Sequence, residues 1–410
     1  MKISSLEHKK IAMLGFGVTG QEVYKALGPK YDITLINDTP IPGYDIQSTA
    51  EAIAANQTFD VIIKSPGILY SHPLLATCDA RVTNDIELCY EVICENQLNT
   101  KIIGITGTNG KTTTTQFIAD CLCKTGKVAI ACGNIGQSPL YVLSQNLHVD
   151  YLVIELSSYQ LKQVDKFKPD FGLFLNIAPD HIDYHGSFED YLTSKCKLFM
   201  NMTEQDGLVL DRSLVDDYPE IKWPSFASFG VSDSQLQSIK TMAMPKQNYR
   251  LIFDLLLKVG IDQEYIIAQI NKFQGLEHRL ELVESNHDYI VINDSKATNV
   301  EATNVAISNL TSDATLIVGG SEKVEDYTRL NYASKFVNHV IAYGAAKDNF
   351  NFIPNIILID DFTSAVKKAM SITKANEVLI LSPACASFDQ HQNYIERGNQ
   401  FKQIIRGENE

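Results

Sequence analysis

The residues with the clearest chemical potential form the run GITGTNGKTTT, which begins at Gly104. A glycine-rich turn between a strand and a helix directs several backbone N–H groups at one point, and the helix dipole adds positive potential there. Lys111 is placed to reach the β- and γ-phosphates of a nucleotide, and the Thr112 hydroxyl to ligate Mg²⁺. The run therefore predicts a phosphate site, although Gly107 and Gly110 are closer together than in the strict motif.

A second glycine run, Gly15-Phe-Gly-Val-Thr-Gly20, follows the first apolar segment, and Asp38 lies about twenty residues further on. Taken alone, this pattern suggests a nicotinamide cofactor. The same geometry binds any nucleotide diphosphate, and nothing downstream resembles hydride-transfer chemistry. We therefore favour another nucleotide diphosphate over a dinucleotide, with a purely structural turn as the remaining alternative.

Three further residues are candidates for metal chemistry. Glu155 ends the apolar run YLVIE, where a buried carboxylate is costly unless it is paired or metal-bound. Together with Thr112 it suits Mg²⁺, which takes oxygen ligands and keeps several waters. His181 follows the next apolar run, and Lys195 lies in the helical segment YLTSKCKLF. The simpler interpretations are a loop histidine and a solvated helix lysine.

The last third of the chain places polar residues after successive apolar runs. His278-Arg279 lies at a domain junction, where a guanidinium could reach a polyphosphate. Loops that carry lysine at several strand ends of one domain predict an anionic substrate. The candidates are Asp294, Lys296, Thr298, Asn299, Lys323, Ser382 and Ser387.

Short β-branched runs alternate with longer amphipathic segments, which predicts an α/β fold built on parallel sheets. Ten runs are strand candidates, too many for one small sheet. We predict three domains: 1–96, Rossmann-like; 97–276, a P-loop-type ATPase domain; and 277–410, Rossmann-like. The candidate strands are KIAMLGFG, DITLIND, VIIKSPG, KIIGITG, YLVIELSS, FGLFLNI, YIVIND, ATLIVGG, HVIAYG and VLILSP.

The composition restricts the class of protein. A hydrophobic fraction of 45% over 410 residues excludes global disorder, and a net charge of −14 argues against nucleic acid or an anionic membrane as a partner. No apolar stretch approaches the roughly 20 residues of a membrane span. The eight cysteines show no CxxC pair and are interpreted as reduced core thiols. We expect a soluble, cytoplasmic protein.

Taken together, these motifs resemble the Mur ligase family of peptidoglycan precursor synthesis. GITGTNGKTT, GNIG, IELSSYQL and DHIDYHG resemble the core that these ligases share. NDSKATN and LSPACASFDQ resemble the member that adds D-glutamate, and the DNPR-type signature of the ligases that add diaminopimelate or lysine is absent. The resemblance extends from Gly15 to about Tyr394, nearly the whole chain.

The resemblance implies ATP-dependent ligation of D-glutamate to UDP-N-acetylmuramoyl-L-alanine through an acyl phosphate. It assigns ATP contacts along the turn of residues 107–111, called the phosphate turn below, and in later segments. It assigns neutralisation of the acyl phosphate to Lys296. We expect a monomer with these small molecules as partners. The implied ATP residues are Gly107, Thr108, Asn109, Gly110, Lys111, Thr112, Thr113, Asn134, Asn248, Arg279 and Asp294.

The resemblance also implies two Mg²⁺ sites. Thr112 and Glu155 would serve the first; His181 and Lys195 would serve the second, with Lys195 converted by CO₂ into a carbamate. Lys111, His181, Lys195 and Lys296 are thus the implied catalytic residues. The remaining assignments concern the two other substrates. The implied UDP-substrate residues are Phe16, Gly17, Val18, Thr19, Asp38, Thr39, Gly67, Asn134 and Ser157, and the implied D-glutamate residues are Thr298, Lys323, Ser387 and Tyr394.

The chain departs from the family pattern in several places. Pro40 replaces a basic residue at the uridine end, and Leu251 replaces a second asparagine on the adenine side. Val324 stands where glycine is usual, Tyr394 where phenylalanine is typical, and the stretch 232–246 is short. None of these departures removes the phosphate turn or the metal-ligand candidates, so we expect an active enzyme with shifted nucleotide contacts.

Three alternative functions remain open at this stage. A ligase with the same core could use another amino acid, as folylpolyglutamate synthase does. A nicotinamide-dependent oxidoreductase could be built on Gly15 to Gly20. A non-catalytic UDP-sugar sensor could have kept the fold. Phosphate release that depends on the amino acid, and binding of NAD(H), distinguish these possibilities.

Overall fold

The protein is described here by a computed structural model. In the described part of the chain, it contains 15 α-helices and 16 strands, and the strands form three separate sheets. Short 3₁₀ helices lie at Ser4–Leu6, Lys197–Phe199, Asp233–Leu236, Tyr327–Arg329 and Lys347–Phe350. The residues that the structure describes are 2–145, 148–239, 241, 243–322 and 326–407.

The chain divides into two compact units. The first comprises Met1–Ser232 and Arg250–Ile266, and the second comprises Asp233–Tyr249 and Ile267–Glu410. The first unit holds two of the three sheets, and the second unit holds the third. Each unit is described by itself below.

The first sheet is parallel, with the order β3-β2-β1-β4-β5. Every residue of β1 and β4 is buried, as expected for central strands covered by helices on both faces. The strands are β1 Ile11–Leu14, β2 Ile33–Ile36, β3 Ile46–Gln47, β4 Val61–Lys64 and β5 Arg81–Thr83. The helices are α1 Val18–Leu27, α2 Thr49–Ala54, α3 Pro73–Thr77 and α4 Asp85–Glu95.

The second sheet is also parallel, with the order β10-β9-β6-β8-β7. Its strands are β6 Lys101–Thr106, β7 Ala129–Gly133, β8 Tyr151–Glu155, β9 Phe171–Phe174 and β10 Gly207–Leu210. The helices that follow in the chain are α5 Lys111–Cys123, α6 Pro139–Gln145, α7 Ser158–Lys162, α8 Ile182–His185, α9 Phe188–Cys196, α10 Arg212–Asp217, α11 Lys246–Val259 and α12 Gln263–Lys272.

The first two sheets share one hydrophobic core, which includes Ile86 of α4 and Phe167. A buried carboxylate reinforces this junction: Glu87 accepts hydrogen bonds from the backbone N–H groups of Asp165, Lys166 and Phe167, at 2.8 to 3.1 Å. Removal of that carboxylate would leave three backbone donors, one of them in a fully buried hydrogen bond, without their acceptor, so the contact fixes α4 against this loop.

The third sheet has the order β11-β12-β16-β13-β14-β15, and only β11 runs antiparallel to its neighbour. Separate hydrophobic clusters, one around Leu316 and one around Ile317, pack on its two faces. The strands are β11 Glu281–Leu282, β12 Ile290–Asn293, β13 Ala314–Gly319, β14 Val337–Tyr343, β15 Ile357–Ile359 and β16 Val378–Ala384. The helices are α13 Val300–Ser308, α14 Phe362–Ile372 and α15 Tyr394–Arg406.

All ten predicted strands are confirmed within the described residues, as are the parallel sheets apart from β11. A 3₁₀ turn that buries Leu6 precedes the first strand, which begins at Ile11. One expectation needs correction. The cysteines are all free, but Cys94 and Cys123 are exposed and are therefore not core thiols. In the described part of the chain, none of the helices combines the length and the apolar character that crossing a bilayer requires.

Candidate active site

The phosphate turn lies where the sequence predicted it, between the end of β6 and the start of α5. Gly107 and Gly110 have φ values of +154° and +82°, which side chains rarely tolerate. A Cβ at Gly107 would also lie 3.1 Å from Leu175 Cβ. The Lys111 ammonium folds back and donates to the carbonyl oxygens of Gly107 and Thr108, both at 2.9 Å. The turn is therefore a compact loop whose own carbonyl oxygens hold the Lys111 ammonium.

Asn176, which the sequence analysis missed, holds this turn in place. Its Oδ1 accepts hydrogen bonds from the backbone N–H groups of Thr108 at 3.1 Å and Asn109 at 2.9 Å, and its Nδ2 donates to the Asn109 carbonyl at 3.0 Å. These two amides are thus occupied. The amides available to a phosphate are those of the first turn of α5, from Lys111 to Thr113, which have no acceptors within the helix.

Lys195 is buried rather than solvated, with 2% of its surface exposed. Its ammonium donates to the Gly107 carbonyl at 2.7 Å and lies 4.8 Å from the centre of the Tyr191 ring. Burial, together with the nearby Lys111, lowers the pKa of Lys195 well below its usual value. The simple interpretation of a solvated helix lysine is wrong, because α9 turns this position towards the phosphate turn.

Glu155 and Asn134 form the second part of the site. The Asn134 Nδ2 donates to Glu155 Oε1 at 2.8 Å, which leaves the other carboxylate oxygen, Oε2, buried and without a hydrogen-bond partner among the described residues. An unpaired buried carboxylate oxygen is costly, and a cation relieves that cost. The donor chemistry therefore fits a hard divalent ion.

His181 lies at the start of α8 with φ +53°, and 44% of its side chain is exposed. Its ring is 4.9 Å from Tyr159 and 6.1 Å from Tyr191, the same tyrosine that Lys195 contacts. The Tyr191 hydroxyl shares a 2.9 Å hydrogen bond with Thr108 Oγ1. Tyr191 therefore connects His181 and Lys195 to the phosphate turn.

The other end of α8 is fixed by a buried histidine that the sequence analysis did not single out. His185 contacts Asp190 through Nδ1 at 2.6 Å and Ser158 through Nε2 at 3.0 Å. Asp190 also accepts from Lys162 at 2.6 Å. Within the described residues, no three His, Cys, Asp or Glu side chains form a ready metal cage.

Of the nine residues predicted for the UDP substrate, Asn134 and Ser157 follow strands of the second sheet, and the other seven lie at the carboxyl edge of the first sheet. Asp38 and Thr39 are exposed there, and the hydrogen bond from the Thr49 amide, at 2.9 Å, lowers the pKa of Asp38. Asn37, which was not predicted, accepts from the Phe16 amide at 3.0 Å and donates to the Thr39 carbonyl at 2.6 Å. It thereby aligns the two loops of this edge.

Phe16 differs from the other residues of its glycine run. Its ring is fully buried against Tyr24 and Tyr44, so only its backbone can face a ligand, whereas Val18 is 74% exposed. Gly17 and Gly67 have open space where a Cβ would stand. Ser157 caps α7 by accepting from the Gln160 amide at 3.2 Å.

In the second unit, Asp294 is buried at the end of β12. It accepts from Ser382 Oγ at 2.8 Å and from the Leu280 amide at 3.2 Å. Burial raises its pKa to about 7 despite the hydrogen bonds and the nearby Arg279. A partly protonated carboxyl at neutral pH can donate as well as accept a hydrogen bond.

Lys296 extends over the Tyr394 ring, with Nζ 4.0 Å from the ring centre. The loop that carries Lys296 is held by Arg397, a fully buried guanidinium that the sequence analysis did not single out. Arg397 donates to the carbonyl of Ser295 at 2.7 Å and to that of Cys385 at 3.0 Å. It therefore joins the two polar loops that the sequence assigned to one substrate.

Three other predicted residues of this unit differ in their burial. Ser387 is buried, Thr298 is partly exposed, and Asn248 is buried with its Nδ2 unpaired among the described residues. Lys323 lies outside the described residues.

Comparison with known proteins identifies the family of this chain. The model of the Mur ligase middle domain matches residues 105–248. The UDP-N-acetylmuramoylalanine–D-glutamate ligase of Staphylococcus saprophyticus is 30% identical, over 98% of this chain and 97% of its own length. The enzyme of the same name from Francisella tularensis is 32% identical, over 97% and 95%. The chain belongs to the UDP-N-acetylmuramoylalanine–D-glutamate ligase family.

Solved structures support the fold of this ligase family member. The MurF ligase of Thermotoga maritima in complex with ADP aligns with a TM-score of 0.59 and 14% identity, covering 100% of this chain and 98% of that one. At that identity the likeness concerns the fold alone. It agrees with the α/β architecture on parallel sheets that the sequence predicted.

Proposed function

We propose that this chain uses ATP to join D-glutamate to UDP-N-acetylmuramoyl-L-alanine, in the synthesis of peptidoglycan precursors. Family membership over nearly the whole length supports the reaction class and the substrates. The observation that carries the proposal is the phosphate turn, where Lys111 and Lys195 both donate to the Gly107 carbonyl beside the N-terminus of α5.

In the first step, the alanyl carboxylate attacks the γ-phosphorus of ATP, forming an acyl phosphate and releasing ADP. A carboxylate and a triphosphate repel each other, so positive charge must bring them together. Lys111 is proposed to leave the loop carbonyls and neutralise the β- and γ-phosphates, while Asn176 keeps the turn rigid. The first-turn amides of α5 hold the phosphates without reorganisation.

The first Mg²⁺ would be held by Thr112 and by the unpaired Oε2 of Glu155, which Asn134 orients through the other oxygen. His181 and Lys195 are proposed for the second Mg²⁺. When bound, the two cations neutralise charge on the transferring phosphoryl group. The chain's own contribution is to fix the carboxylate and the imidazole beside the phosphate turn.

Lys195 is proposed to carry a carbamate. An ammonium repels a metal ion, but a neutral amine reacts with CO₂, forming an N–C bond and releasing one proton, to give an anionic oxygen ligand. Burial and Lys111 both favour the neutral amine that this reaction requires. The buried position would also protect the carbamate from bulk water.

In the second step, the D-glutamate amine attacks the acyl carbon, forming the amide bond and expelling phosphate and a proton. Lys296 is proposed to neutralise the acyl phosphate, with Thr298, Lys323, Ser387 and Tyr394 around D-glutamate. Arg279, Asp294 and Asn248 are proposed nucleotide contacts. Because water destroys an acyl phosphate, the reacting groups must be shielded from solvent.

The UDP moiety is proposed to bind at the carboxyl edge of the first sheet, at Phe16 to Thr19, Asp38, Thr39 and Gly67, with Asn134 and Ser157 towards the sugar. Phe16 would contribute its backbone alone, because its ring is buried. We further propose three functional domains, 1–96, 97–276 and 277–410, acting in a cytoplasmic monomer.

Release of ADP by the full chain with UDP-N-acetylmuramoyl-L-alanine tests the proposal. We expect release that requires D-glutamate, with L-glutamate and other amino acids giving far less. Release with L-glutamate and a folate acceptor instead would support the folylpolyglutamate alternative. Release independent of any amino acid would contradict amide ligation.

A further inference from the structure

Lys64, the last residue of β4, is a buried cation with no role in the mechanism above. Only 1% of its surface is exposed. Its Nζ donates to the carbonyls of Ser65 at 3.2 Å and Ile68, and to the Tyr184 hydroxyl at 3.4 Å. All three acceptors are uncharged, and the neighbouring Lys162 pairs with Asp190. Burial and the proximity of Lys162 lower the pKa of Lys64 to about 8, so the fold bears a cost for keeping this group.

On one side, Lys64 closes the loop that carries Gly67. The two carbonyls that it holds, of Ser65 and Ile68, lie at opposite ends of this loop, and the Ile68 amide donates to the Ser65 carbonyl at 3.1 Å. Ser65 Oγ also donates to the Gly15 carbonyl at 2.8 Å. The loop of Gly67 is thus set by Lys64 and joined to the first glycine run.

On the other side, Lys64 reaches α8. Tyr184 accepts from Nζ and donates in turn to the Ile68 carbonyl at 3.3 Å. Tyr184 lies three positions after His181, and its ring is 4.1 Å from that of Tyr159, which also contacts His181. The second end of α8 is fixed by His185. One ammonium therefore holds both the loop of Gly67 and the short helix that begins after His181.

We propose that Lys64 is a positioning residue. Through Tyr184 it couples the loop of Gly67, assigned to the UDP substrate, to the start of α8 at His181, assigned to a metal ion. This inference rests on the proposed function, which assigns Gly67 and His181 to those two ligands. Because both ligands depend on one shared contact, weakening it lowers the affinity for each. Lys64 itself contacts neither ligand.

The test uses the full chain with Tyr184→Phe, which removes one hydroxyl and keeps the ring, and with Lys64→Met. Isothermal titration calorimetry measures the dissociation constant of UDP-N-acetylmuramoyl-L-alanine. Electron paramagnetic resonance measures the dissociation constant of Mn²⁺ added alone. We expect both dissociation constants to rise about tenfold in each variant, the size of one lost positioning hydrogen bond. The double variant should be no worse than Lys64→Met, because the two residues act through one contact.

Tyr70→Phe is the matched control. Its ring lies 5.0 Å from the same Nζ, so the ring contact with Lys64 is kept while a hydroxyl is removed. It should leave both constants unchanged. A Tyr184→Phe chain that loses UDP-substrate affinity but binds Mn²⁺ normally would overturn the coupling, and so would an unaltered chain without Mn²⁺ binding. Ligation by the unaltered chain tests the proposed function separately, so the two can fail independently.

Discussion

Lys111 and Lys195 donate to the same carbonyl oxygen, that of Gly107, at 2.9 and 2.7 Å. Two ammonium groups that share one acceptor repel each other. Burial, and after it the nearby Lys111, lowers the pKa of Lys195 well below its usual value. An anion between the two groups, or conversion of Lys195 to a carbamate, would relieve the repulsion. In the proposed mechanism, this pair supplies the positive charge that phosphate chemistry at the turn requires.

Replacing Lys111 with alanine should lower kcat by about 10²–10³, the usual loss when one preorganised charge at the transition state is removed. The far-ultraviolet circular dichroism should be unchanged, because the Lys111 ammonium donates to the carbonyls of Gly107 and Thr108, which lie in a loop and in no helix or strand. Lys127→Ala, at an exposed lysine, is the control. Normal turnover by Lys111→Ala would exclude the turn as the phosphate site.

Carbamylation of Lys195 should be visible directly. With ¹³C-labelled bicarbonate, the full chain should show a carbamate carbon signal that Lys195→Arg lacks. The signal should weaken as the pH falls, because protonated amine does not react with CO₂. Spectra of the two chains that are identical at neutral pH would mean that the low pKa of Lys195 serves some other purpose.

Asn176→Ala should weaken ADP binding by about tenfold, because two backbone N–H groups of the phosphate turn lose their acceptor and the turn loosens. Binding of UDP-N-acetylmuramoyl-L-alanine should change little. Isothermal titration with each ligand measures both effects. Asn201→Ala removes an asparagine that also donates to backbone carbonyls, of Asp165 and Phe167, and serves as the control. Equal losses in the two variants would argue for a general loss of stability instead.

Asp85, at the start of α4, should make the stability depend on pH. Burial raises its pKa to about 6, above the value of about 3.9 in an unfolded chain. The folded state then binds more protons between about pH 4 and pH 6, so this residue's contribution to stability falls as the pH rises through that window.

Asp85→Asn should remove that dependence. The free energy of unfolding of the variant, relative to the unaltered chain, should increase from about pH 4 to about pH 6 and then level off. Urea denaturation at several pH values measures it, with the exposed Asp79→Asn as control. A constant difference across the window would show that folding does not raise the pKa of Asp85.

The strands that sequence reasoning located lie in largely apolar runs, and two of them, β4 and β13, are buried along their whole length. The six missed strands include β3 and β11, each of two residues, and the edge strands β10 and β15. A two-residue strand is defined by pairing with its neighbour and has no periodicity of its own. Such elements depend on the assembled sheet.

The residues of the candidate site also differ in whether the sequence alone could reveal them. Lys111 begins α5 and Glu155 ends β8. Both could be singled out from the sequence, because ligands of α/β proteins usually bind at the carboxyl ends of the strands. Asn176 could not, because its role depends on where β9 ends relative to β6. Arg397 did leave a signal: it shares a helix face with the apolar Phe401 and Ile404, four and seven positions later, which marks a buried arginine.

The central claim is that ATP activates a substrate carboxylate at the turn of Lys111. The most direct measurement supplies UDP-N-acetylmuramoyl-L-alanine labelled with ¹⁸O in its alanyl carboxylate, together with ATP and D-glutamate. The acyl phosphate predicts that each phosphate released carries one ¹⁸O atom, transferred from the carboxylate when the amine displaces it. Product formed together with unlabelled phosphate would contradict the account.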